Sequence, residues 1–111
     1  MAFEFEDTDL PGVVLIHSRK FSDSRGHLLE LFKTSEFTGT RVPTAFVQEN
    51  LTRSRHRVLR GMHYQLDPHA QGKLIYVPEG EIFDVALDIR AGSPTYGRWQ
   101  GWQLSDENHD L

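Results

Sequence analysis

The chain has 111 residues, no cysteine, and 12 basic against 16 acidic side chains, a formal net charge of −4. That length suits one domain able to bury its own core, and the lack of cysteine excludes disulfides, thiolate metal sites and a cysteine nucleophile. The acidic balance argues against nucleic acid as partner. No apolar run approaches the ~20 residues of a membrane span, and the start, Met1 to Asp7, lacks the basic and apolar regions of a leader. The expectation is one soluble, cytoplasmic domain over residues 1–111, without membrane contact.

In chain order, apolar periodicity predicts strands at Val13 to His17, His27 to Phe32, Ala45 to Gln48 and Val58 to Tyr64, then at Lys73 to Val77, Glu81 to Ile89 and Gly97 to Gln103. Only Thr34 to Phe37 suggests a helical turn. Turn chemistry separates the runs at Leu10-Pro11-Gly12, Ser22 to Gly26, Asp67-Pro68, Pro78-Glu79-Gly80 and Ala91 to Pro94. About seven short strands with this spacing predict an all-β antiparallel sandwich or barrel. The clearest alternation sets Phe83, Val85, Leu87 and Ile89 against Ile82, Asp84, Ala86 and Asp88.

Several of these runs carry charge among apolar neighbours: Arg60-Gly61-Met62-His63, Lys73-Leu74-Ile75 and Phe83-Asp84-Val85. One such residue usually faces solvent. Several together predict a barrel with a polar, ligand-holding interior. Alternation puts Arg60 and His63 on opposite faces, and a bulge at Gly61 is one way to bring both to one cavity.

His63 is the first candidate for proton transfer, because imidazole titrates nearest neutrality. A structural or surface histidine is the plainer alternative. The metal-binding pattern of cupin barrels is a His-x-His pair, a glutamate, and a glycine seven residues on. Here those places hold Asp67-Pro68-His69, Lys73 and Gly80. An ammonium repels a dication, and two remaining ligands are too few, so no metal is expected. Lys73 can instead stabilise negative charge on an oxygen, as a metal would, although a strand lysine is often only solvated. Arg25 and Arg60 suit phosphate oxygens, and Gln48 with Asn50 suits hydroxyls and amides. The basic stretch Thr52 to Arg57 has no interleaved aromatics and is a poor nucleic-acid signal.

In this order and spacing, several motifs resemble the dTDP-4-dehydrorhamnose 3,5-epimerase family from about Leu10 to Asn108. They are Phe21-Ser22-Asp23-Ser24-Arg25-Gly26, Phe46 to Asn50, Leu59 to Gln65, Gln71 to Leu74, Gly80 to Arg90, Ser93 to Gly97 and Leu104 to Asn108. The resemblance implies an all-β, cupin-like antiparallel jelly-roll barrel that epimerises C3 and C5 of a dTDP-linked 4-keto-6-deoxy sugar without metal or cofactor. It implies His63 as catalytic base and Lys73 as the group at the 4-keto oxygen. Arg25 and Arg60 would hold diphosphate and sugar, while Glu30, Gln48 and Asn50 would contact the nucleotide. Asp84 is placed as a neighbour orienting Lys73 or His63. A homodimer is expected.

Family members continue past the last residues seen here, with a general-acid tyrosine, a second histidine and barrel-closing strands. Tyr64, Tyr76 and Tyr96 do not fit that tyrosine's motif. The barrel is therefore expected to be incomplete, and the chain to be a fragment whose turnover is weak while ligand binding persists. The alternatives are a non-catalytic sugar-nucleotide-binding module, a single-carbon epimerase or ketoisomerase of the same fold, and a metal-dependent cupin.

Overall fold

The computed structural model describes residues 2–111 and contains six strands and one short helix. The strands form three separate antiparallel hairpins, β1 with β2, β3 with β4, and β5 with β6. The class is all-β and cupin-like, with the barrel open.

Strand β1 (Phe3–Asp7) pairs with β2 (Val14–Ser18) in the register Phe3↔Ser18 to Asp7↔Val14. Alternation places Phe3 and Phe5 on the inner face with Ile16 and Val14, and Glu4 and Glu6 on the outer face with His17. The Thr8 hydroxyl closes the connection by donating to the Val13 carbonyl at 2.8 Å, and Gly12 takes the positive φ of 91° that the turn requires. The helix α1 (Thr34–Phe37) is one turn long, so its formation rests on packing. Phe37, wholly buried, meets the rings of Phe3 and Phe5 edge-on at 5.0 and 5.2 Å. Ala2, Phe3, Ile16, Phe37 and Leu111 form the core, with Leu74 and Tyr76 packed against it.

Strand β3 (Lys20–Asp23) and β4 (Gly26–Leu29) form a hairpin around Ser24-Arg25. Strands β5 (Glu81–Leu87) and β6 (Trp99–Ser105) form the longest ladder, Glu81↔Ser105 to Leu87↔Trp99. Their connection is knotted around buried Asp88, whose carboxylate accepts from Arg90 Nε at 3.1 Å and from the hydroxyls of Ser93 and Thr95. These donors, Arg90 first, hold the Asp88 carboxyl far below the usual carboxylate range. Arg90 also donates to the Pro11 carbonyl at 2.8 Å, tying this loop to the β1–β2 turn.

The expected helical turn at Thr34 to Phe37 is present; β5 lies within its predicted run, and β2, β4 and β6 overlap theirs with ends shifted by one to three residues. Two further strands, β1 and β3, lie outside the predicted runs, although Phe3 to Asp7 alternates apolar and acidic residues. Three predicted strands, Ala45 to Gln48, Val58 to Tyr64 and Lys73 to Val77, are irregular instead. Strand propensity needs a partner edge to satisfy its N–H and C=O groups, and among the described residues none is paired to these runs. Gly61, at φ 132°, therefore lies in irregular backbone and is not a bulge.

Candidate functional site

Every residue from Pro43 to Lys73 is exposed, and this stretch carries Gln48, Asn50, Arg60, His63 and Lys73. Gln48 donates to Asn50 Oδ1 at 3.4 Å, so these two amides share one face of the segment. Arg60 Nε donates to Ser54 Oγ at 3.0 Å, which folds the basic loop back toward the Arg60-Gly61-Met62-His63 run. Among the described residues no hydrogen bond or ion pair joins His63 to Lys73. The expected bringing together of Arg60 and His63 in one enclosed cavity is likewise not seen, because both stand in solvent.

Lys73 and Asp84 do form a relationship. Asp84 lies mid-strand on β5, directly opposite Trp102 and half-buried. Burial raises its carboxyl above the usual range, and the nearby Lys73 charge partly opposes that rise. Just beyond Lys73 the chain dives inward: Leu74, Ile75 and Tyr76 are half-buried and Val77 is buried. Burial also pushes the Tyr76 hydroxyl up, with the Asp106 charge adding to it.

Arg25 sits at the tip of the β3–β4 hairpin, where it donates to Asp23 Oδ2 and its backbone N–H caps Asp23 Oδ1 at 2.8 Å. That guanidinium holds the exposed Asp23 carboxyl below its ordinary value. The tip borders a shallow open groove lined by Phe21, Asp23, Arg25, Gly26, His27 and Leu28. Glu30 follows β4. Its carbonyl accepts from Ser18 Oγ at 2.7 Å, and its Oε2 is buried without a hydrogen-bond partner. A buried acceptor left unpaired is costly, which is consistent with a place where a ligand donor belongs.

One cluster escaped the sequence reading. His17 lies between Glu6 and Asp110, its Nε2 2.9 Å from Glu6 Oε2 and its Nδ1 2.8 Å from Asp110 Oδ1. The alternation of Phe3-Glu4-Phe5-Glu6 was the available signal, since it puts Glu6 on a strand face.

Three open antiparallel hairpins joined by an exposed, polar connecting segment make an all-β chain whose barrel is not closed. The family model described as dTDP-4-dehydrorhamnose 3,5-epimerase matches residues 7–111, and the chain belongs to that family. It is 48% identical over 104 residues to the dTDP-4-dehydrorhamnose 3,5-epimerase of Shigella flexneri, covering 91% of this chain and 56% of that protein. The crystal structure of the Sulfolobus tokodaii enzyme superposes with a TM-score of 0.92 at 47% identity, over 99% of this chain and 61% of that one. A Legionella pneumophila enzyme solved in complex with dTDP-4-keto-L-rhamnose matches with a TM-score of 0.90 and 42% identity, over 97% of this chain and 57% of that one. The chain thus spans little more than half the length of these relatives.

Proposed function

We propose that the protein to which this chain belongs is a dTDP-4-dehydrorhamnose 3,5-epimerase. It would convert dTDP-4-dehydro-6-deoxy-D-glucose to dTDP-4-dehydro-L-rhamnose. The observation that carries the reading is the family match over residues 7–111. The ligand named for the Legionella relative supports the substrate class.

In this reading His63 takes the proton from C3 or C5, each alpha to the 4-keto group. The C–H electron pair moves into the ring C–C bond, and the carbonyl π pair moves onto oxygen. The Lys73 ammonium donates to that enolate oxygen, supplying the charge stabilisation that a metal would give. Return of a proton to the opposite face, from the general-acid tyrosine that the family resemblance implies, collapses the enolate and inverts the centre, and His63 releases its proton to solvent. No metal or cofactor takes part. Arg25 and Arg60 hold the diphosphate and sugar, and Glu30, Gln48 and Asn50 contact the nucleotide. Asp84 acts on Lys73 as a positioning residue, supported by the charge of Lys73 acting on Asp84 of β5.

The protein works as a cytoplasmic homodimer. The nearly full exposure of Val47, Leu51 and Leu59 supports an assembly that covers them. No helix among the described residues is long and apolar enough to cross a membrane.

The test is solvent deuterium incorporation into the substrate, read by NMR at C3 and C5, in the wild-type protein and in His63→Asn. The reading requires label at both carbons in the wild type and its loss in the variant, with dTDP binding retained. Label at one carbon alone indicates a single-centre epimerase. Binding without label in either protein indicates a sugar-nucleotide-binding module, and stoichiometric zinc, iron or manganese in protein purified without added metal overturns the role given to Lys73.

A further inference from the structure

The segment at His109–Leu111 docks on the fold through buried His109 and Leu111, with the His109 N–H donating to the Ser105 carbonyl at 3.0 Å. Leu111 exchanges both backbone hydrogen bonds with Ile16 at 2.9 Å, making an isolated bridge along the free edge of β2. Its side chain is buried in the core beside Ile16 and Phe37. On the outer face, the only side-chain tie from this segment to β2 among the described residues is Asp110 to His17.

The chemistry of that tie is constrained. Both ring nitrogens of His17 face carboxylate oxygens at hydrogen-bonding distance, Glu6 from β1 and Asp110 from the segment. An ionised carboxylate only accepts, and a neutral imidazole carries a single N–H. A neutral ring can therefore serve one carboxylate and must present a lone pair to the other. Only the imidazolium donates to both. The surroundings agree: Glu4 lies directly opposite His17 on β1 and adds a third acidic group to this face. The nearest cationic side chain in sequence, Arg19 just past β2, is engaged over the Phe21 ring at 5.0 Å. The Glu6 hydrogen bond, reinforced by Asp110 and opposed by partial burial, raises the His17 pKa above 6.5.

We propose that His17 is a proton-operated latch. Charged, it bridges Glu6 and Asp110 and fastens the segment His109–Leu111 to the β1–β2 hairpin; neutral, it lets one of the two carboxylates go. Because the folded-state affinity for the proton exceeds the unfolded one, the latch's contribution is complete below pH 6.5. It is lost as pH rises through the folded-state value. The latch is separate from the residues assigned to substrate and does not depend on that assignment.

The test is an NMR titration of the chain from about pH 5 to 9, following the His17 ring nitrogens and the amides of Ile16 and Leu111. Both ring nitrogens should be protonated at the acidic end, with a midpoint above 6.5. The Leu111 amide should shift with that same midpoint. Asp110→Asn and Glu6→Gln should each move the midpoint down, and His17→Gln should remove the inflection from the Leu111 amide. A midpoint at or below 6.5 overturns the latch. So does a midpoint indifferent to both carboxamide variants, or a Leu111 amide that does not follow the ring.

Discussion

Thr95 donates its hydroxyl to Asp88 Oδ2 at 2.6 Å, joining two buried polar side chains at the turn between the long strands. With Arg90 and Ser93 on the same carboxylate, all of the donors stabilise its ionised form. A carboxyl whose folded-state pKa is depressed stabilises the fold above its unfolded value and loses that contribution as pH falls through the folded one. The thermal midpoint of the chain should therefore decline on acidification below about pH 4. In Asp88→Asn the midpoint should be lower at pH 7 and the acid decline shallower. Calorimetry at several pH values checks both, and an unchanged acid slope would exclude Asp88 as its source.

Phe37→Ala should be the most damaging single truncation in the core. The ring is fully buried and meets Phe3, Phe5 and Phe32. Removing a buried phenylalanine costs about 3–5 kcal/mol. For a chain with so small a core the expected result is loss of cooperative urea unfolding, whereas Phe46→Ala, at a 39% exposed ring, should cost far less.

Gly101 faces the Phe83 ring across the β5–β6 ladder, so closely that a Cβ there would land on the ring. Phe83 is 67% exposed and has solvent to swing into. Gly101→Ala should cost about 1 kcal/mol, at the lower end of overpacking penalties. Gly101→Ala combined with Phe83→Ala should show a favourable coupling in a double-mutant cycle of denaturation free energies. Strict additivity would mean that the ring does not rest on this glycine.

Lys73→Gln should lower the rate of deuterium exchange at C3 and C5 by about 10²–10³-fold, the usual consequence of removing one donor to a developing oxyanion. Substrate affinity should change little. Asp84→Asn should act more weakly and through Lys73, shifting the basic limb of the pH–rate profile. A full loss of binding in Lys73→Gln would instead make the lysine an anchor.

Much of this was readable in the residues, and the failures have local causes. The alternation of Phe83 to Leu87 against flanking glycine and proline turns is independent of what lies around it, so β5 was legible. The run Val58 to Tyr64 has equal strand propensity but no ladder partner among the described residues, and sequence periodicity carries no information about partner supply. The charge of Phe3 to Asp7 belongs to the solvent face of an amphipathic strand, a pattern visible only once its partner β2 is in place. The roles of the site residues came from the resemblance of the motifs to the family. The sequence reading already pairs Asp84 with Lys73 or His63, and the charge of Lys73 acting on it emerges only with β5 placed in space. The His17 cluster depends on residues 93 positions apart and was beyond any local reading.

The hairpin that presents Arg25 has every residue from Lys20 to Leu28 in solvent. A lone two-stranded ribbon in water is only marginally persistent. A polyanion gripping the Arg25 guanidinium must therefore also still the ribbon that bears it, and part of the attraction is consumed in that ordering. Covering the ribbon in advance would return that part as tighter binding, so the grip on phosphate should strengthen with whatever shields Phe21 and Leu28, without any new contact to the anion itself.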